Sequence, residues 1–215
     1  MGGYIFQEFV SDFSGRTKQN IRVIDSIYNE HDDNPDKKVY EVTQLINSLF
    51  GMIILPYEKY NNQINESDYK YESSYKEIQE LIKILISQKF LRSTYSGEHE
   101  NIEVFKFIKH LRNALAHSGN GKLNFYPVNS NKDNIKAVYF MDSLKNQDGK
   151  VCTFCCRLSV KRIKTLCELI PELYSVVEKK VPENQRGDIF EKYYKQISAL
   201  DNFINGDDAE IPDIC

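Results

Sequence analysis

Lys109-His110-Leu111-Arg112-Asn113-Ala114-Leu115-Ala116-His117-Ser118-Gly119-Asn120-Gly121 is the stretch whose reading decides the fold. It has the pattern of the last turns of an amphipathic helix that stops in a glycine-rich turn. At about 100° per residue, Val104, Ile108, Leu111 and Leu115 fall in one narrow arc and face a core. Lys106, His110, Asn113 and His117 fall on the opposite side. Arg112 lies at the edge of the apolar stripe, where its long side chain can pass over Ala116 toward the polar face. An arginine, an amide and a histidine thus stand within six residues, the densest chemistry in the chain. A solvated polar face is the plain alternative, and a histidine in a last turn interacts favourably with the helix dipole without any function.

The residues around the motif set the context. Lys38 to Leu55 forms a second helix, apolar nearly all round from Leu45, that belongs in the centre of a bundle and ends at Pro56. Asn47, buried in that company, reads first as a structural hydrogen-bonding residue and second as that helix's contribution to a site. Before it, Glu8 to Tyr28 carries Phe9, Phe13, Ile21, Ile24 and Ile27 at helical spacing. Arg16 and Asn20 share its polar face, where solvation is the simplest account. Glu58 to Tyr71 is polar and reads as a mobile surface connection, its tyrosines, with Tyr57 and Tyr75, available for base stacking. Ser74 and Glu77 make a capping box for a third helix striped by Ile78, Leu81, Ile82 and Leu85 and ending near Leu91. Glu98 to Asn101 then set acidic residues before the motif helix.

Beyond Gly121 the period changes toward two. Lys122 to Val128, Ile135 to Met141 and Val151 to Leu158 read as a three-stranded antiparallel meander. Cys152, Cys155 and Cys156 fall in its third strand. Zinc would need a second pair of ligands at comparable spacing, so these are read as buried thiols. Ser159 caps a helix over Val160 to Lys180, with Pro171 a candidate kink, and a last helix spans Arg186 to Ile204. The whole reads as one mainly helical domain over 1–206, with the meander inserted at about 121–158 and an acidic tail over 207–215.

Arg112-Asn113-x-x-x-His117 after an apolar helix resembles the signature of the HEPN superfamily, many of whose members are metal-independent ribonucleases. The segment from Tyr40 to Pro56 is similar to the second helix of plasmid- and phage-defence members. The resemblance implies a helical bundle in which two copies meet to form one cleft, with Arg112 and His117 catalytic and Asn113 supporting them. It also implies RNA as substrate, a homodimer, an antitoxin or regulatory partner in some members, and no metal or other cofactor. His110 and Lys109 beside the motif, with Arg16 and Asn47, are the candidate substrate-binding residues, though an exposed surface histidine is the simpler reading of His110. One departure is Gly119, where members paired with a nucleotidyltransferase antitoxin carry tyrosine. A non-catalytic RNA- or nucleotide-binding or scaffold module would use the same groove.

Composition limits the rest. With 215 residues, 41% hydrophobic and 27% charged, the chain suits one soluble core. A net charge of −3 excludes holding nucleic acid by bulk charge, so any RNA contact must be local. An odd number of cysteines without a secretory signal favours a reduced cytoplasmic setting, and no apolar run suits a membrane span.

Overall fold

The structure, a computed structural model, describes residues 9–30, 41–98, 100–118, 122–128, 131–145 and 149–182. The last helix expected over 186–204 and the tail over 207–215 lie outside the described residues. Among the described residues five helices, α1 (Phe9–Glu30), α2 (Glu41–Tyr60), α3 (Ser73–Ser87), α4 (Val104–Ala116) and α5 (Val160–Lys180), pack with one four-stranded sheet. Its strands are β1 (Leu91–Ser93), β2 (Leu123–Val128), β3 (Asn131–Lys145) and β4 (Val151–Ser159). The fold is mainly helical with an antiparallel meander after α4, as the periodicities require.

Leu45, Leu49, Met52, Ile53 and Tyr60 recur at helical spacing along α2 and are all buried, which sets this helix against α1, α4 and α5. Gly51 lets α1 approach closely, because a Cβ there would stand 2.7 Å from the Phe13 ring. Pro56 does not end α2, contrary to expectation. The bond it forfeits is outweighed by the turn beyond it, where the buried Tyr60 hydroxyl donates to Glu178 of α5 at 2.7 Å. Asn47 is exposed rather than buried, because even this apolar helix keeps one side toward solvent.

The segment from Glu58 to Tyr71 is also more than a surface connection. Two short 3-10 turns, Asn61–Gln63 and Glu66–Asp68, carry Tyr69 into the core, where it meets Phe105 of α4 edge to face. Glu66 accepts from the Phe105 amide at 3.3 Å and from the Tyr75 hydroxyl at 2.7 Å. A carboxylate at the positive end of α4, an end that lacks a side-chain cap of its own, is thus supplied from outside the helix. Tyr60, Tyr69 and Tyr75 are buried and are unavailable for stacking on bases, whereas Tyr71 is exposed. The Ser74 capping box does not form: Ser74 is buried inside α3, and Ser73 donates to Glu77 at 3.0 Å instead.

α3 stops at Ser87, four residues before the expected end near Leu91, because the chain turns at Lys89 and enters β1. The sheet order is β1-β4-β3-β2, antiparallel throughout, with Leu91 opposite Cys156 and Phe140 opposite Cys156 and Leu123. β1 adds a fourth strand to the meander. Val138, Phe140 and Asp142 of β3 and Cys152, Phe154, Cys156 and Leu158 of β4 form the inner face, which is buried. α4 packs on β3 there, with Phe107 against Phe154. Ser159 caps α5 by accepting from the Arg162 amide, as expected.

Candidate active site

α4 ends at His117, whose amide donates to the Asn113 carbonyl at 3.1 Å and whose side chain is exposed. One turn earlier Arg112 and Asn113 are half-buried. Helical side chains lean toward their own N-terminus, so the Arg112 guanidinium turns back from His117 rather than crossing Ala116. It lies 5.6 Å from the Tyr57 ring and pairs through Nη2 with the Glu58 carboxylate, both on α2. Nη1 donates to the Asn113 side-chain oxygen at 3.1 Å. Nε is buried with no acceptor among the described residues. Burial pushes the Tyr57 phenol up, an effect that Arg112 partly offsets.

Asn113 passes the connection inward. Its Nδ2 donates to Asp142 Oδ2 of β3 at 2.9 Å, so both ends of the amide are committed. The same Asp142 oxygen lies 2.8 Å from His110 Nδ1, and His110 Nε2 lies 3.0 Å from Glu98 Oε2. Ser93 donates to that Glu98 oxygen at 2.9 Å and accepts from the Tyr95 amide at 3.2 Å. Lys122 approaches the other Asp142 oxygen at 3.7 Å. A continuous polar chain therefore runs from the end of β1 through the interior to the motif arginine.

His110 is the main correction to the helical projection, which places it on the exposed side. It is 4% exposed, stacked on Phe154 at 4.5 Å and 13° and covered by the Tyr95 ring at 4.7 Å. Each ring nitrogen faces a carboxylate oxygen. Ionised carboxylates only accept, so the imidazole binds both only as a double donor, or one carboxyl carries the proton. Burial raises Asp142, but hydrogen bonds from His110 and Asn113 and the positive charges of His110 and Lys122 outweigh it and hold the carboxyl below its ordinary range. Burial pushes the Tyr95 phenol up to about 12, and Asp142, Cys152 and Glu98 push in the same direction.

The structure thus joins Arg112 and Asn113, places His117 at the end of the same helix, and removes His110 from the surface. Lys109 and Asn47 are exposed, and no hydrogen bond among the described residues ties either to the network. Arg16 is exposed on α1, which packs on α2 and α5 rather than on α4. Asp142, Glu98 and Glu58 were missed by the sequence reading. Asp142 had a signal: it continues the inward phase of Val138 and Phe140, and a carboxylate in phase with a core face must be paired. Cys152, Cys156 and Cys167 are buried and Cys155 is half-buried, with no disulfide among the described residues. Burial pushes Cys167 up to about 12. No cluster of His, Cys, Asp and Glu suited to a metal ion occurs among the described residues. No described helix is long and apolar enough to cross a membrane.

No curated protein and no solved structure matches the chain. A family model described as HEPN pEK499 p136 matches residues 1–182, a span that includes every described element from α1 to α5. The chain belongs to this HEPN family.

Proposed function

We propose that the protein is a metal-independent endoribonuclease acting as a homodimer, and that it serves as a toxin or defence effector under the control of a regulatory partner. The observation that carries this reading is a held guanidinium on the same helix as an exposed imidazole at its end. Arg112 is fixed on three sides by Tyr57, Glu58 and Asn113, while His117 stands exposed at the terminus of the same helix. Arginine suits a phosphodiester because its donors form a charged fork that matches two oxygens. Histidine suits the proton because both of its forms are accessible near neutrality.

RNA supplies its own nucleophile. His117 removes the 2′-hydroxyl proton, the 2′-oxygen attacks phosphorus, and the bond from phosphorus to the 5′-oxygen breaks. That oxygen takes a proton from His117 of a second copy, leaving a 2′,3′-cyclic phosphate and a 5′-hydroxyl. Arg112 neutralises the crowded phosphate. Asn113 acts as a positioning residue for Arg112, and Asp142 and His110 act through Asn113.

One observation favours the rival reading of a silent or non-catalytic RNA-binding cleft. Glu58 already occupies one edge of the Arg112 fork, and phosphate must displace it. Such an exposed ion pair is worth only about 0–1 kcal/mol, so displacement is cheap. The deciding experiment incubates purified protein and its His117→Ala variant with mixed RNA in EDTA and maps the fragment ends. Cyclic phosphate ends produced by the parent alone support the nuclease. An equally active variant rejects it.

A further inference from the structure

The outer face of the sheet has a character that the cleft does not use. β4 turns Cys155 and Arg157 outward, and Arg92 and Tyr139 stand opposite them on β1 and β3. With Gln88, Lys89 and Phe90 they line an open cleft of about 400 Å³. The Arg157 guanidinium sits 5.3 Å from the Phe90 ring, 5.6 Å from Tyr126 and 5.8 Å from Tyr139, and Arg162 lies 5.4 Å from Phe90. Stacking on rings occupies the flat of a guanidinium and leaves its edge donors for another partner.

The cations of this face stand together without acidic neighbours, unlike several that are paired elsewhere. Lys18, Lys83, Lys106, Arg112 and Lys164 each pair with a carboxylate. Lys89, Arg92, Arg157 and Arg162 form no ion pair with a carboxylate among the described residues, and no Asp or Glu occupies an outward position of β1 or β4, or of β3 from Tyr139 to Lys145. In a chain of net charge −3 this is a local cationic surface with aromatic rings in it.

Lys89 adds an independent sign. Its φ is +59°, in the left-handed region where glycine is the inexpensive residue. It closes α3 with its own amide donating to Ile86 at 2.9 Å and that of Phe90 donating to Leu85 at 2.8 Å, a terminator that ordinarily takes glycine. A lysine kept at such a position puts a cation at the cleft rim against a backbone cost.

We propose that this face binds single-stranded RNA, with Lys89, Arg92 and Arg157 on phosphates and Phe90, Tyr126 and Tyr139 supporting bases. The proposal rests on RNA being the substrate and adds a second grip, on the sheet face opposite α4 and away from the scissile bond. Cations without nearby acid favour a polyanion, and ring faces favour unpaired bases over a duplex. A second copy is disfavoured as the occupant, since a two-fold contact would set the same cations against each other.

The test uses the full chain carrying His117→Ala and a short labelled single-stranded oligoribonucleotide, followed by fluorescence anisotropy. Lys89→Gly should weaken binding several-fold while raising Tm by about 2 °C through relief of the backbone. A merely structural lysine would not give these opposite signs. Lys89→Gly with Arg92→Glu should weaken binding about 10-fold and flatten the salt dependence, each lost phosphate contact removing about 0.7 from the slope. Unchanged affinity in both, or equal affinity for duplex RNA, overturns the proposal. In the chain with His117 intact, the double variant should cleave a dinucleotide at the parent rate and long RNA more slowly. If the parent cuts no RNA yet the variants lose binding, the face stands and the nuclease falls. If the parent cuts and the variants bind unchanged, only the face falls.

Discussion

His110 and His117 stand seven residues apart on α4, about 20° from each other in helical projection, yet they occupy opposite environments. His110 is sandwiched between Phe154 and Tyr95 and faces carboxylates through both nitrogens. His117, two turns on, is exposed. The azimuth is shared, and what differs is the cover at each level along the helix axis. β3 and the segment from Ser93 to Glu98 lie over His110, whereas α4 has already ended at His117. One imidazole is therefore built into the fold and holds Asn113 and Arg112 through Asp142, while the other is left for a reactant.

Replacing each histidine separates the two roles. His117→Ala should lower cleavage by about 10³-fold, the middle of the range for a lost general base or acid, with Tm unchanged in calorimetry. A comparable fall in Tm would mean that His117 also belongs to the fold. His110→Ala should do the reverse. It leaves Asp142 and Glu98 without their shared partner, at a cost of about 3 kcal/mol in urea unfolding, with a smaller loss of kcat through a loosened Arg112. A stable His110→Ala protein would show that the buried chain does not hold the site.

The pH dependence sharpens the contrast further. Asp142 has a folded-state pKa below its unfolded value, so its contribution is present above the unfolded carboxylate value of about 3.9 and fades as pH falls through the folded one. The stability gap between the parent and Asp142→Asn should accordingly be full at neutral pH and close below about pH 4. A gap that widens on acidification would contradict the assignment. The smallest expected effect is at Glu58. Glu58→Gln removes the carboxylate that competes for Arg112 and should tighten RNA binding about threefold, read in a protein carrying His117→Ala. Weaker binding would mean that Glu58 helps to place the guanidinium for phosphate.

The same contrast explains what was legible in advance. The run of Val104, Ile108, Leu111 and Leu115 fixed the buried face of α4, and the period-two stretches after Gly121 fixed the meander, because each pattern is local and repeats. β1 escaped notice because three residues are too few to show a period, and α2 ran past Pro56 because Tyr60 is anchored on α5. Asp142 fell just past the expected end of its strand at Met141, so its inward phase went unread.

The sequence by itself determined the elements, the motif helix and the residues at its end, since spacing along one chain is enough to say which side chains share a stripe. The tertiary structure alone decided that Glu98 and Asp142 close on His110, that Arg112 turns back to Tyr57 and Glu58, and that the cations of β1 and β4 and the α3 terminator gather on one face. Those are meetings between segments far apart in the chain. They depend on how helices and strands cover one another, which no period along a single element records.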